Sequence, residues 1–452
     1  MKRLDSLLPP ERVSLFEEDT LCYSFDATGI EERPMAVARP ISTDEVSTIM
    51  SYAYERDIPI VPRGAGTGMS GGSVPLNNSI VLSFERMNNL IDIDASNLIA
   101  VVEPGVINGH FQRDLEALEL FYPPDPASMD FCTLGGNVAE NAGGPRALKY
   151  GVTRDYVLGL EIVMPDGKIA LIGTKTQKGV VGYDLTRLVV GSEGTLAAIT
   201  KIFLRLLPMP RAVITLLAVF DSVDASARAV SKIIASSIIP RTLEFMDRES
   251  IKAVEAFKPT GLPTTAEAVL LIEVDGSPKA IKEDTDRIAS ICIAHKADIQ
   301  VADEPSARQR LWEARRAISP ALYRISPTKI NEDIVVPRSK IPEMLAYLRR
   351  LSEDLNIRIV NFGHAGDGNI HVNIMTDREN AEEFKRAGDA RRKIFEAALK
   401  FGGTISGEHG VGITKAPFIP MEMHPASLGM MKAIKRLFDP KGLMNPGKIF
   451  EG

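Results

Sequence analysis

The stretch 58-IPIVPRGAGTGMSGGSVPLNNSIVLSF-84 decides the fold, because two apolar strand segments bracket a dense run of glycines. Gly66, Gly68 and Gly71 satisfy the G-x-G-x-x-G spacing. That spacing marks a dinucleotide fold only when a strand, the loop and then a helix follow one another. Here Ser73-Val74-Pro75 and a second strand, SIVLSF, come after the loop. No helix N-terminus is available to a pyrophosphate, so the doubly wound nucleotide fold is rejected. Consecutive glycines can still turn successive backbone N–H groups inward and form an anion-binding concavity. A plain glycine-rich hairpin would account for the loop if it stood alone.

It does not stand alone. Upstream, 42-STDEVSTIMSYAYERD-57 predicts a helix with Ser42 as N-cap, leading into the first strand. Downstream, short strands at 98–105 and 158–167 alternate with glycine turns. A second run, 133-TLGGNVAENAGG-144, reads as another loop, followed by Tyr150-Gly151 and 191-GSEGTL-196. Several such loops within 200 residues suggest one long ligand lying close to the backbone. The proline-bearing segment 206-LLPMPR-211 reads as a linker.

Beyond it the pattern changes. Strands at 212–220, 242–247, 268–276 and 298–303 alternate with amphipathic helices at 221–236 and 277–297. This predicts an α+β sheet with helices on one face. The expected organisation is a first domain over 1–208, a second over 209–405, and a segment over 406–452 that docks back on the first.

Composition limits the alternatives. A chain of 452 residues is too long for one core. Lys+Arg 53 against Asp+Glu 59 gives a net charge of -6 with no basic block, which argues against a nucleic-acid partner. Cys22, Cys132 and Cys292 cannot supply four cluster ligands and suggest a reducing, cytoplasmic setting. The N-terminus lacks an apolar core of signal length, and no uncharged run would cross a bilayer.

The sharpest chemistry lies in 358-RIVNFGHAGDGNIHVNI-374. A two-residue turn at Asp367-Gly368 would set His364 opposite His371, with Cβ atoms roughly 5 Å apart on one face. Two imidazoles so placed can grip a divalent ion. Asn373 projects from the same face and could bond a substrate oxygen. The segment 407-GEHGVG-412 offers Glu408 and His409, and two histidines with one glutamate suit catalytic zinc. Taken singly, each histidine could equally be a core or surface residue. His110, His295 and His424 receive that structural reading.

In the helix 306-SARQRLWEARRAISPAL-322, Arg315 and Ser319 share a face at i and i+4. A guanidinium can hold a carboxylate by two parallel bonds, although helix arginines are commonly just solvated.

In combination, PRGAGTG, PPDPAS, TLGGNVAENAGG and GSEGT resemble the FAD-binding domain of the vanillyl-alcohol oxidase / p-cresol methylhydroxylase flavoproteins. The later half and the NPGKIF tail resemble the branch holding D-lactate dehydrogenase, D-2-hydroxyglutarate dehydrogenase and the glycolate oxidase catalytic subunit. The resemblance implies that Pro62, Arg63, Gly64, Ala65, Gly66, Thr67, Gly68 and Met69 wrap the FAD pyrophosphate. It implies further contacts from Ser128, Thr133, Gly135, Gly136, Asn137, Asn141, Gly143, Gly144, Gly151, Glu193, Gly194, Ile199 and Asn445. Covalent members of the superfamily often carry a flavin-linking histidine where this chain has Thr67, so FAD is expected to be held non-covalently. The resemblance also implies His364, His371 and Glu408 as ligands of a divalent metal, zinc being expected, and His409 as the base.

In the D-2-hydroxyglutarate branch an arginine, a threonine and a lysine contact the substrate. Arg315 and Ser319 match the first two, and Lys329 is the candidate third at a spacing that differs by about two residues. The implied activity is oxidation of a small D-2-hydroxy acid, D-lactate or glycolate, with D-2-hydroxyglutarate as the alternative. Without cluster cysteines or a second dinucleotide site, the expected acceptor is an electron-transfer flavoprotein, an iron–sulfur subunit or a quinone. A non-catalytic FAD-binding subunit, an oxygen-using oxidase and a homo-oligomer stay open.

Overall fold

Ser42 accepts the Glu45 N–H at 3.3 Å and opens the helix Thr43–Glu55, where the sequence placed it. Val46, Ile49, Met50 and Ala53 form its apolar stripe, all at most 1% exposed. They pack on Ile60, Ile80 and Leu82 of the strands flanking the glycine loop. Burying a Val, Ile or Met fully is worth about 1.5–3 kcal/mol, so this stripe holds the helix on the sheet.

The computed structural model describes residues 4–302 and 304–450; the ends of the stretches expected at 1–3, 303 and 451–452 lie outside them. Two units emerge. The first comprises 1–143, 151–209 and 408–452, and the second 144–150 and 210–407. The returning tail therefore packs within the first unit, and 144–150 counts with the second.

In the first unit, Ala36–Ala38 and Ile60–Arg63 both run parallel to Ile80–Ser83. The helix over 43–55 forms the crossover that a parallel pairing needs. A five-stranded antiparallel sheet has the order 90–94, 99–102, 198–205, 157–163, 169–173. No helix separates Arg63 from Ile80, as the rejected dinucleotide reading required. The second glycine run, read as a loop, instead holds a helix over Leu134–Glu140. Thr133 caps it by accepting the Gly136 N–H at 3.2 Å, and Asn141 ends it at φ 54°. Asn tolerates that left-handed conformation better than most residues.

The second unit is a seven-stranded antiparallel sheet of order 298–302, 212–220, 268–276, 242–247, 358–364, 369–376, 328–335. Helices were expected on one face, but they cover both. Helices 223–234, 278–294, 341–354 and 381–400 pack on one another along one side. Helices 248–257 and 305–321 cover the other through Ile251, Val254, Ala314 and Ile318, packed against Leu217, Met246 and Phe362. Strands whose two faces are both apolar, such as Ala268–Gly276, cannot show by alternation that a second helical layer exists.

Candidate active site

The first unit contains an open cleft with about 1280 Å³ of empty space, its mouth included. Residues 62–69, Ser128, Thr133, Gly135, Gly136, Asn137, Gly143, Glu193, Gly194 and Ile199 line it, together with Glu408 and His409. The residues expected around FAD thus share one cavity, apart from Asn141, Gly144, Gly151 and Asn445. Asn445 acts as a strut, its Nδ2 donating to Gly72 O and Glu193 O at 2.8 and 2.7 Å. Asn141 is the helix cap. Sequence reasoning missed Phe84, Pro104, Cys132 and Glu140 in the wall; the first three lie between the glycine runs, and Glu140 ends the helix Leu134–Glu140 within the second.

Arg63 is placed otherwise than expected of a pyrophosphate contact. Its guanidinium is 5% exposed and donates to Phe25 O at 2.8 Å and Ser73 O at 3.2 Å. It ties the two ends of the loop to the body beneath. Gly66, at φ 69°, lies over this guanidinium, where a Cβ would collide with it.

The cleft floor carries clustered acids. Burial, then Glu193 and Asp26, push Glu140 well above the usual carboxylate range, and its Oε2 has no hydrogen-bond partner among the described residues. Burial also raises Glu193, but its oxygens accept the Val411 and Gly412 N–H groups at 2.7 Å, with Lys415 and Lys448 nearby. Glu193 is therefore the better stabilised anion of the two, and Glu140 the more strongly raised carboxyl. The returning segment brings in a histidine, His409, that neither glycine loop contains.

In the second unit the hairpin keeps its faces but not its register. Phe362, rather than His364, pairs with His371, and residues 365–368 form the turn. The wider turn shifts the pairing by two residues, which preserves the side-chain face. His364 and His371 are therefore diagonal neighbours, with Nε2 atoms 3.3 Å apart and rings nearly perpendicular at 83°. Two nitrogens about 2.1 Å from a tetrahedral ion lie about 3.4 Å apart, so this spacing fits metal ligation. Both rings are buried.

One sheet face carries the remaining groups. Glu244 pairs directly with His364 across the sheet, and its Oε1 lies 2.7 Å from His364 Nδ1. Arg315 was expected to offer its fork to a carboxylate. Instead its Nε and Nη2 both donate to Glu244 Oε2, at 2.8 and 2.7 Å, while the guanidinium lies over the Phe362 ring. Asn373 shares the His371 face as expected. Its amide is engaged, however, donating to Val360 O and His371 O and accepting from Asn331.

Lys329 Nζ lies 2.6 Å from Ser319 Oγ, and burial pushes it down to about 8. Gly407 donates its N–H to Asp333, the cross-strand partner of His371, and Glu408 is the next residue along the chain. Glu244, Asn331 and Asp333 were missed. An acid inside the otherwise apolar TLEFMD was the available signal. His110 and His295 are surface-side residues, and His424 N-caps the helix Pro425–Phe438.

Comparison with known proteins follows this division. Residues 34–173 match the FAD binding domain family and 209–449 the C-terminal domain of FAD linked oxidases. The glycolate oxidase subunit GlcD of Bacillus subtilis is 47% identical over 98% of this chain and 94% of its own. D-lactate dehydrogenase of Anaerostipes hadrus is 36% identical over 98% and 95%. The structure of p-cresol methylhydroxylase with substrate bound superposes at TM-score 0.82 with 17% identity, over 99% of this chain and 95% of that one. That likeness establishes the fold alone.

Proposed function

The chain belongs to the FAD-linked oxidase family and is an FAD-dependent oxidoreductase, and from that premise we propose that it oxidises D-lactate or glycolate to the 2-oxo acid with the help of one divalent metal. The carrying observation is the pair of buried imidazoles whose Nε2 atoms lie 3.3 Å apart.

His364 and His371 would hold the metal, with Glu408 as third ligand and zinc as the ion. Bound FAD, held non-covalently, supplies the hydride acceptor, and the metal supplies Lewis acidity at the 2-hydroxyl. His409 takes the hydroxyl proton. Arg315 offers the carboxylate its remaining N–H groups, two on Nη1 and one on Nη2. Ser319 and Lys329 add a hydroxyl and a cation along the same helix and strand. Asn373 acts at one remove, by fixing Asn331. Electrons leave to a protein acceptor, an electron-transfer flavoprotein or iron–sulfur subunit, or to a quinone. Among the described residues no helix is long and apolar enough to cross a membrane.

The hydrogen bond between Lys329 and Ser319 favours a second reading. A cation beside the carboxylate site suits the distal carboxylate of D-2-hydroxyglutarate. The test is turnover with an artificial electron acceptor and direct assay of the 2-oxo acid. Pyruvate, glyoxylate or 2-oxoglutarate would identify the substrate; no product from any 2-hydroxy acid would refute the reading.

A further inference from the structure

Resting on the reading that the second unit takes a metal and a carboxylate substrate, we propose that Glu244 is the positioning residue of both subsites. One of its oxygens fixes His364 as a ligand and the other fixes Arg315 for the substrate carboxylate.

The strand 242–247 places Glu244 directly opposite His364, and its side chain is fully buried. An ionised carboxylate only accepts hydrogen bonds. At 2.7 Å from Nδ1, Oε1 obliges His364 to carry its proton there. The lone pair is then left on Nε2, the atom that faces His371. A carboxylate behind a ligating histidine sets tautomer and ring aim, and it raises ligand basicity.

The other oxygen, Oε2, takes both Nε and Nη2 of Arg315. This sets the guanidinium over Phe362, its Cζ 4.8 Å from the ring centre. Arg315 in turn supplies the charge that a buried carboxylate needs. The strand acid, the hairpin histidine and the helix arginine thus share one carboxylate. Metal and carboxylate subsites are therefore held at a fixed mutual setting.

A purely structural Arg–Glu pair would leave metal affinity untouched, so metal binding is the readout. The double variant Glu244→Met/Arg315→Met replaces the pair with apolar groups, leaves no buried charge unpaired, and is checked for folding of the second unit by near-ultraviolet circular dichroism and thermal unfolding against wild type. Zinc affinity is measured by titration calorimetry on the metal-stripped proteins. The expected result is a folded second unit with zinc affinity about 10–100-fold weaker than wild type. Equal zinc affinity in the two proteins would overturn the proposal. A wild-type protein that binds no zinc would sink the underlying metal reading instead.

Nitrogen NMR of the metal-free wild type gives a test that needs no variant. His364 should carry its proton on Nδ1, and a proton on Nε2 would contradict the proposal.

Discussion

At the residue scale, His371 and Gly66 separate the two cofactor roles. His371→Ala should leave FAD bound while turnover falls more than about 100-fold, since a catalytic metal would lose a direct ligand. Flavin content and steady-state rate measured on one preparation decide it. Gly66→Ala forces a left-handed conformation on alanine, costing about 1–2 kcal/mol, and drives a methyl at Arg63. FAD affinity should drop by roughly tenfold or more, read by flavin fluorescence on dilution.

Lys329 gives a pH signature. Burial holds it at about 8, below its ordinary 10.5. A cation that binds a carboxylate is lost above that point, so kcat/KM should fall as pH rises through about 8. Lys329→Met should lack this limb. Stability runs the other way: between about 8 and 10.5 the unfolded chain holds the proton that the folded chain lacks, so unfolding free energy rises with pH there.

At the element scale, the helix Leu134–Glu140 begins on the Thr133 cap. Thr133→Ala should cost about 1 kcal/mol, read by urea unfolding of the flavin-free protein. This helix also marks a limit of sequence reading. Gly135 and Gly136 disguised it as a loop, because glycine propensity speaks against helix, whereas its cap and the packing of Leu134 and Val138 decide for it. The hairpin shows the opposite balance. Its turn chemistry misjudged the register by two residues, yet period-two alternation kept His364, His371 and Asn373 on the right face.

At the scale of the molecule, the order of strands and helices was legible because amphipathic periods and proline or glycine breaks are local signals. The cleft was legible because glycine runs that must approach a ligand are conspicuous. Long-range partners were not. Glu244 lies 71 residues before Arg315 and 120 before His364, and only strand pairing brings them together. Glu140 became notable only once folding buried it beside Glu193.

Stripping the metal should leave the flavin in place, since Glu408 alone of the three proposed ligands lines the cleft. The most direct test of the central claim is anaerobic bleaching of the flavin absorbance by D-lactate, L-lactate, glycolate and D-2-hydroxyglutarate, with and without chelator. Bleaching by a D-acid or by glycolate, lost on chelation and restored by zinc, is the predicted result. Bleaching that persists fully in the metal-stripped protein, or a flavin that no 2-hydroxy acid reduces, would contradict it.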